Sequence, residues 1–255
     1  MDNQQNTPYT FGWLPDLPDQ RDFMYAAPMA VMQQLPAAVD LRSQCPPVYD
    51  QGHLGSCTAN CLAAAFEFDL KKQHKIDFMP SRLFIYYNER VFINTVNSDS
   101  GAYIRDGIKT MNKDGVCPEQ QWPYDINKFA VKPPQKCYDD AKKCQIKSYQ
   151  RLVNSLSQLK VCLAEGFPFV FGFTVYESFM TQQVAQTGIM PMPKQGEQTR
   201  GGHAIIAVGY DDSKNAFIIR NSWGTGWGIK GYFYMPYAYI TNGNLCDDFW
   251  TIRLV

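Results

Sequence analysis

The chain keeps its helical and its strand-like patterns in separate halves, and this segregation limits the folds open to it. From Ser56 to about Gln73 the segment SCTANCLAAAFEFDLKKQ reads as a helix. Leu62, Ala65, Phe66 and Leu70 mark an apolar stripe, Ser56 is placed to cap the start, and Lys71 and Lys72 suit the end. A second helix is predicted through SRLFIYYNERV and a third through AYIRDGIKTMNKDG, closed by Gly115. A short helix from Ser155 to Glu165 opens on a Ser155-x-x-Gln158 capping box. Then FPFVFGFTV, HAIIAVGYD, NAFIIRNSW and KGYFYM alternate like strands. The pattern predicts an α+β protein with two lobes. Residues 1–35 read as an irregular arm broken by Pro8, Pro15, Pro18 and Pro28. Residues 36–255 form the globular part, mainly helical over about 51–148 and mainly β over about 149–255.

Bulk properties remove several classes of function. Lys and Arg number 24 and Asp and Glu number 24, a balance that argues against nucleic acid or anionic membrane as the main partner. No apolar run reaches the ~18 residues of a membrane span. The opening MDNQQNTPYT lacks the basic start and apolar stretch of a signal peptide. Eight cysteines are too sparse for a disulfide scaffold, and if one is a nucleophile the remaining seven cannot all pair. The compartment stays open, with export preferred over the cytoplasm.

The stretch most informative about chemistry is Gln51-Gly52-His53-Leu54-Gly55-Ser56-Cys57, which runs directly into the first helix. A thiol at a helix N-terminus meets unsatisfied backbone N–H groups and the positive end of the dipole. Both favour the thiolate, the form that attacks carbonyls. Gly52 and Gly55 let the backbone turn tightly beside it, and the Gln51 amide is placed to donate to a developing oxyanion. The competing reading of Cys57 is a small hydrophobe packing a helix end.

HAIIAVGYD and NAFIIRNSW flank the turn-rich Asp211-Asp212-Ser213-Lys214-Asn215. Folded as a hairpin about Ser213, they bring His203 and Asn221 to one end of the ladder, within about two residues of opposite. An amide acceptor beside a histidine fixes its tautomer and ring orientation, as a catalytic base requires. Trp223 is placed to shield that contact from water. The alternative is a histidine satisfied at a strand end and an asparagine in a turn.

Taken together, Gln51-Gly-x-x-Gly-Ser-Cys57, Gly202-His203-Ala204 and Asn221-Ser-Trp-Gly-Thr-Gly-Trp-Gly228 resemble the three signature blocks of papain-family cysteine peptidases. His203 follows Cys57 by 146 residues (203 − 57), near the family spacing of ~130–150. The likeness extends through Ser100-Gly101-Ala102-Tyr103, Cys117-Pro118-Glu119 and Trp122-Pro123-Tyr124, covers roughly residues 36–235, and is nearest to the shorter bacterial members. It implies a helical lobe and a β-barrel-like lobe with Cys57 and His203 facing across the cleft between them. It further implies Asn221 as orienter, Gln51 in the oxyanion hole, and substrate contacts from Gly101, Ala102, Gly202, Ala204 and Trp223. No cofactor or metal is implied, the partner is a protein or peptide substrate, and a monomer is expected. Leu54, Thr58, Asn60 and Ala102 depart from the family pattern: Leu54 stands where a disulfide cysteine is common, and Thr58 and Asn60 are expected to alter the cleft floor.

Other readings compete. His53, Cys57 and Cys61 are spaced like metal ligands on a helix face, yet Gly52 and Gly55 oppose a helix there. Cys137 and Cys144 are near enough to bridge. Gly224-x-Gly226-x-Gly228 is followed by a strand pattern, not the helix a nucleotide loop needs. His74 reads as a solvated helix-end residue. Transamidation or deamidation by the same triad, or a catalytically silent binding module, remain alternatives to peptide hydrolysis. The arm carries Phe11, Trp13, Leu14, Phe23, Met24 and Tyr25, too many apolar groups for an idle tail. It is expected to pack on the enzyme either as an inhibitory pro-segment across the groove or as a clasp between lobes.

Overall fold

The computed structural model describes residues 9–75 and 77–254. Residues 1–8 of the expected arm, and Val255 at the end of the expected globular part, lie outside the described residues. The helices are α1 (Met29–Gln33), α2 (Cys57–Lys72), α3 (Arg82–Phe92), α4 (Ile104–Lys113), α5 (Gln135–Ala141), α6 (Leu156–Ala164), α7 (Gln182–Thr187) and α8 (Tyr237–Ile240). The strands are β1 (Ala38–Asp40), β2 (Ser148–Arg151), β3 (Phe169–Tyr176), β4 (Thr199–Asp211), β5 (Ala216–Arg220), β6 (Tyr232–Pro236) and β7 (Cys246–Arg253).

Helix α2 organises the helical part. Its alanines, at 59, 63, 64 and 65, favour helix and let neighbouring elements approach closely. The expected single apolar stripe is corrected: every residue from Cys57 to Leu70 is buried, because α3, α4 and the sheet pack around it. Its polar members survive burial by pairing. Glu67 bonds the Tyr49 hydroxyl, and Asp69 accepts the Leu254 N–H at 2.7 Å. Ser56 stands at the N-cap position but does not cap. Its hydroxyl instead meets the Tyr124 hydroxyl at 2.5 Å and accepts from the Asn60 amide at 3.0 Å. The next two helices follow the sequence closely. Ser81 caps α3 by accepting the Phe84 N–H at 3.1 Å, and α4 stops before Gly115. Gly115 has φ +79°, and a Cβ there would lie 1.8 Å from the Ala141 carbonyl oxygen.

The seven strands form one antiparallel sheet of order β2-β7-β3-β4-β5-β6, with β1 also pairing β4. The sheet stays open, so the barrel-like expectation is corrected to a mixed assembly of helices and an open antiparallel sheet. Residues His203 to Tyr210 of β4 are buried without interruption, since α2 covers one face. On the other side Phe171 stacks on Phe249 at 5.2 Å. One continuous apolar core runs from α2 and α3 into the sheet. The α6 capping box is half formed: Ser155 accepts the Gln158 N–H at 3.4 Å, while Gln158 turns to the Val153 N–H. Cys137 and Cys144 are both free rather than bridged; the Cys137 thiol donates to the Gln121 carbonyl at 3.8 Å, in a small satellite core with Cys117, Phe84 and Ala141.

Where α2, α3 and α4 meet, Glu89 is fully buried. It accepts from the Thr58 hydroxyl at 2.8 Å, and its other oxygen has no partner among the described residues. Gly107 makes the room, since a Cβ there would come within 2.4 Å of that second oxygen. Burial pushes the Glu89 carboxyl up from 4.5 to about 8, against the Thr58 bond and the Arg90 charge. A raised carboxyl contributes stability that is complete below its ordinary value and lost as pH climbs through the folded one. Urea unfolding of wild type and Glu89→Gln should therefore diverge, with wild type losing roughly 2–4 kcal/mol more between about pH 5 and 8.5. Parallel profiles for the two proteins would contradict the assignment.

Candidate active site

Cys57 is the first residue of α2, reached through a turn in which Gly52 adopts φ +58°. The Gly55 N–H is held by the Asp99 carboxylate at 3.0 Å, which fixes the approach to the helix. Burial is complete and pushes the Cys57 thiol up to about 11. The backbone N–H groups of Ala204, Gly12 and Thr58 oppose this by favouring the anion. Ala204 is the residue after His203 on β4 and Gly12 belongs to the arm, so the sulfur lies where helix, sheet and arm converge.

The imidazole of His203 is fixed from one side. Its Nε2 lies 2.8 Å from Asn221 Oδ1, and the same oxygen accepts the Ser222 N–H at 2.8 Å. An oxygen committed as acceptor makes Nε2 the donor, which leaves the lone pair on Nδ1. Nδ1 has no partner among the described residues. The hairpin explains the meeting: β4 and β5 pair Ile206 with Arg220, so Asn221 continues opposite residue 205 and His203 lies two further on the same face (205 − 203). Trp223 stacks on the imidazole at 4.9 Å and 23°, with Phe173 at its edge, 5.7 Å away. Burial pulls His203 down to about 4, with the Asn221 bond pulling the other way. In this arrangement burial disfavours the charged form of both groups.

Gln51 is also fully buried. Its side-chain oxygen accepts from the Ser222 hydroxyl at 2.6 Å, and its amide donates to the Leu54 carbonyl at 2.9 Å and the Thr10 carbonyl at 3.1 Å. Thr10 is on the arm, so an arm carbonyl already occupies the donor expected for an oxyanion.

The arm runs through the rest of the expected groove. Ala102 donates to the Gly12 carbonyl at 2.8 Å and accepts the Leu14 N–H at 3.0 Å, while Trp13 donates to the Gly202 carbonyl at 2.9 Å. Among the described residues Gly101 makes no hydrogen bond to the arm. Its lack of a side chain admits Gly12, whose carbonyl would meet a Cβ at 2.2 Å. Tyr9 stacks on Trp223 at 4.2 Å, and Phe11 presents an edge to His203 at 6.1 Å. The Trp13 ring fills a socket against Gly172 and Gly202 that a side chain at either glycine would occupy.

Every site residue anticipated from the sequence therefore lies in this one region. Thr58 and Asn60, expected to alter the cleft floor, turn inward, to Glu89 and Ser56. His53 is exposed on the turn before α2, away from any helix face shared with Cys57 and Cys61. The sequence reading missed Ser222 and Glu89. Ser222 was visible as a neighbour of Asn221, but its bond to Gln51 crosses 171 residues. Glu89 carried no signal, since a carboxylate in a helix normally faces water.

The comparisons agree with this geometry. The family described as papain family cysteine protease matches residues 35–247, leaving residues 1–34 outside the match. An uncharacterized peptidase C1-like protein of Acanthamoeba polyphaga mimivirus is 46% identical over 96% of this chain and 87% of its own length. The crystal structure of xylellain, a cysteine protease from Xylella fastidiosa, superposes with a TM-score of 0.90 at 48% identity, covering 96% of each chain. A digestive procathepsin L 3 from Tenebrio molitor shares the fold at a TM-score of 0.72 and 20% identity, over 91% of this chain and 74% of that one. The chain belongs to the papain family of cysteine proteases.

Proposed function

We propose that the chain hydrolyses peptide bonds through Cys57, His203, Asn221 and Gln51, and that residues 1–35 act as a pro-segment that keeps this machinery idle until displaced. One observation carries the catalytic reading: a buried histidine with Nε2 committed to Asn221 and Nδ1 without a partner among the described residues lies next in sequence to Ala204, whose backbone N–H favours the anion of a helix-terminal cysteine. In the reaction, the Cys57 thiolate attacks the substrate carbonyl carbon and the electron pair moves to its oxygen. The Gln51 amide and backbone N–H groups at the start of α2 stabilise that oxyanion. His203 gives its proton to the leaving amine as the C–N bond breaks, which leaves an acyl-enzyme. It then takes a proton from water, the hydroxide attacks the thioester, and the Cys57 sulfur departs. Asn221 keeps the imidazole in the tautomer that both proton transfers need.

The substrate contacts proposed are the Ala102 backbone, the Gly202 carbonyl, the open space at Gly101, the Ala204 N–H and the Trp223 face. Each of these is in use by the arm or by Cys57, which supports the inhibitory half of the proposal. Arm occupancy also accounts for the neutral pair, because it excludes the water that would favour thiolate and imidazolium.

Cleavage of a peptide library should vanish in Cys57→Ala, by at least about a thousandfold, and fall about tenfold or more in Asn221→Ala. Residual cleavage by Cys57→Ala near the wild-type rate would remove Cys57 from the mechanism. The arm is tested separately by Gly12→Ala, which changes none of the catalytic groups. A Cβ at Gly12 would lie 1.8 Å from the Gly55 carbonyl oxygen, so the arm must lift. Peptidase activity and iodoacetamide capture of Cys57 should both rise severalfold. Unchanged or lower values would count against an inhibitory arm and favour a clasp.

A further inference from the structure

Beyond the groove, the arm is pinned by a buried charge cluster whose signs do not balance. Asp16 on the arm is 7% exposed and Asp248 on β7 is fully buried. One oxygen of Asp248 accepts both the Trp13 indole N–H at 3.0 Å and the Asp16 N–H at 2.8 Å. Two guanidinium groups serve the cluster. Arg105, in the first turn of α4, reaches Asp22 at 2.7 Å and the Leu17 carbonyl at 2.7 Å. Arg151 on β2 reaches Asp22 at 3.2 Å, Asp247 at 3.0 Å and the second oxygen of Asp248 at 3.2 Å. The carboxylate of Asp16 receives the Arg105 backbone N–H at 3.3 Å and neither guanidinium. Four carboxylates from the arm and β7 therefore face two cations from α4 and β2, and Asp22 engages both cations. Asp19, further along the arm, is taken up by Arg21 at 2.7 Å.

We propose that Asp16 and Asp248 form a proton-dependent latch, which holds the arm on β7 while the pair retains a proton and loosens it when that proton is lost. Its effect on activity rests on the inhibitory reading of the arm; its effect on arm mobility does not. The direction follows from the environment. Burial raises both carboxyls, the Asp248 charge raises Asp16 further, and the Asp247 charge raises Asp248, against the arginines and the backbone N–H bonds. Asp16 is pushed up to about 7 and Asp248 to about 6. Once the arm lifts, both regain water and return toward the ordinary carboxylate range, so the released state binds fewer protons between the two ranges. The latch is therefore complete below about pH 4 and weakens as pH climbs through 6 and 7. Acid tightens it.

Hydrogen exchange of the full-length Cys57→Ala protein reads the arm directly without self-digestion. Protection of the Trp13, Leu14 and Asp16 amides, corrected for intrinsic exchange, should fall by about tenfold or more from about pH 5 to pH 8. Asp16→Asn mimics the protonated carboxyl, so its protection should stay level across that range, and Asp248→Asn provides a second such variant. Protection in the Cys57→Ala parent that is flat or rises with pH would overturn the latch. In catalytically intact full-length protein, the activity ratio of wild type to Asp16→Asn should climb over the same interval. Loss of protection without that climb would leave the latch standing and refute inhibition by the arm. A climb without loss of protection would refute the latch.

Discussion

The buried side chain of Gln51 is the contact on which the site depends. It joins three segments that nothing in sequence brings together. Its oxygen holds the Ser222 hydroxyl beyond β5, its amide holds the Leu54 carbonyl at the turn into α2, and its backbone carbonyl accepts the Tyr124 hydroxyl at 3.0 Å. Its backbone N–H adds a bond to the Ser222 carbonyl at 2.9 Å. Because Ser222 directly follows Asn221, fixing Gln51 also fixes the orienter of His203. A polar side chain buried at this depth is tolerated only because nearly all its capacity is used. The remaining amide hydrogen is the one that meets Thr10, and it is the one the proposed oxyanion contact would use.

Water access is the variable on which the proposed inhibition by the arm turns. The helix N-terminus and the Ala204 N–H favour a thiolate, yet burial outweighs them at Cys57, and burial outweighs the Asn221 bond at His203. Neither effect requires the groups themselves to move. Tyr9, Phe11 and Trp13 supply much of the apolar cover, by stacking on Trp223, edging His203 and filling the socket at Gly172. On the proposed reading, displacing residues 9–14 would readmit water and favour the charged forms of both groups.

How much of this was legible depends on how local each signal was. Cys57, His203 and Asn221 could be placed from sequence because a helix start and a hairpin obey short-range rules, and the two-residue offset between His203 and Asn221 keeps both on one face. Strand β7 was missed, although it sits between β2 and β3, because CDDFWTIR sets two acids before Phe249 and Trp250 and interrupts the apolar residues with Thr251, so it imitates neither periodicity cleanly. The barrel-like expectation failed for a related reason: closure depends on edge pairing, which alternation within single strands does not encode. Ser56 had the composition of a cap, but Tyr124 and Asn60 compete for its hydroxyl from afar. The arm's apolar content announced that it packs. Its path could not be read, since an irregular segment has no period and its partners lie on distant elements.

The path has an energetic consequence. Residues 9–14 gain three backbone hydrogen bonds to Ala102 and Gly202, each worth about 1 kcal/mol net, together with the burial of Trp13. Against this stands an ordering cost of about 1–2 kcal/mol per residue. Tethering makes the near balance workable. The arm is pinned again at Tyr25, which donates to the Arg151 carbonyl at 2.8 Å and bonds Glu165 through its hydroxyl. A segment held at one end acts at millimolar effective concentration, so even a weak local preference keeps the groove filled. On the proposed latch the weakness matters: a preference of a few kcal/mol is small enough for the loss of one buried proton to offset, whereas a tightly bound inhibitor would need cleavage to leave.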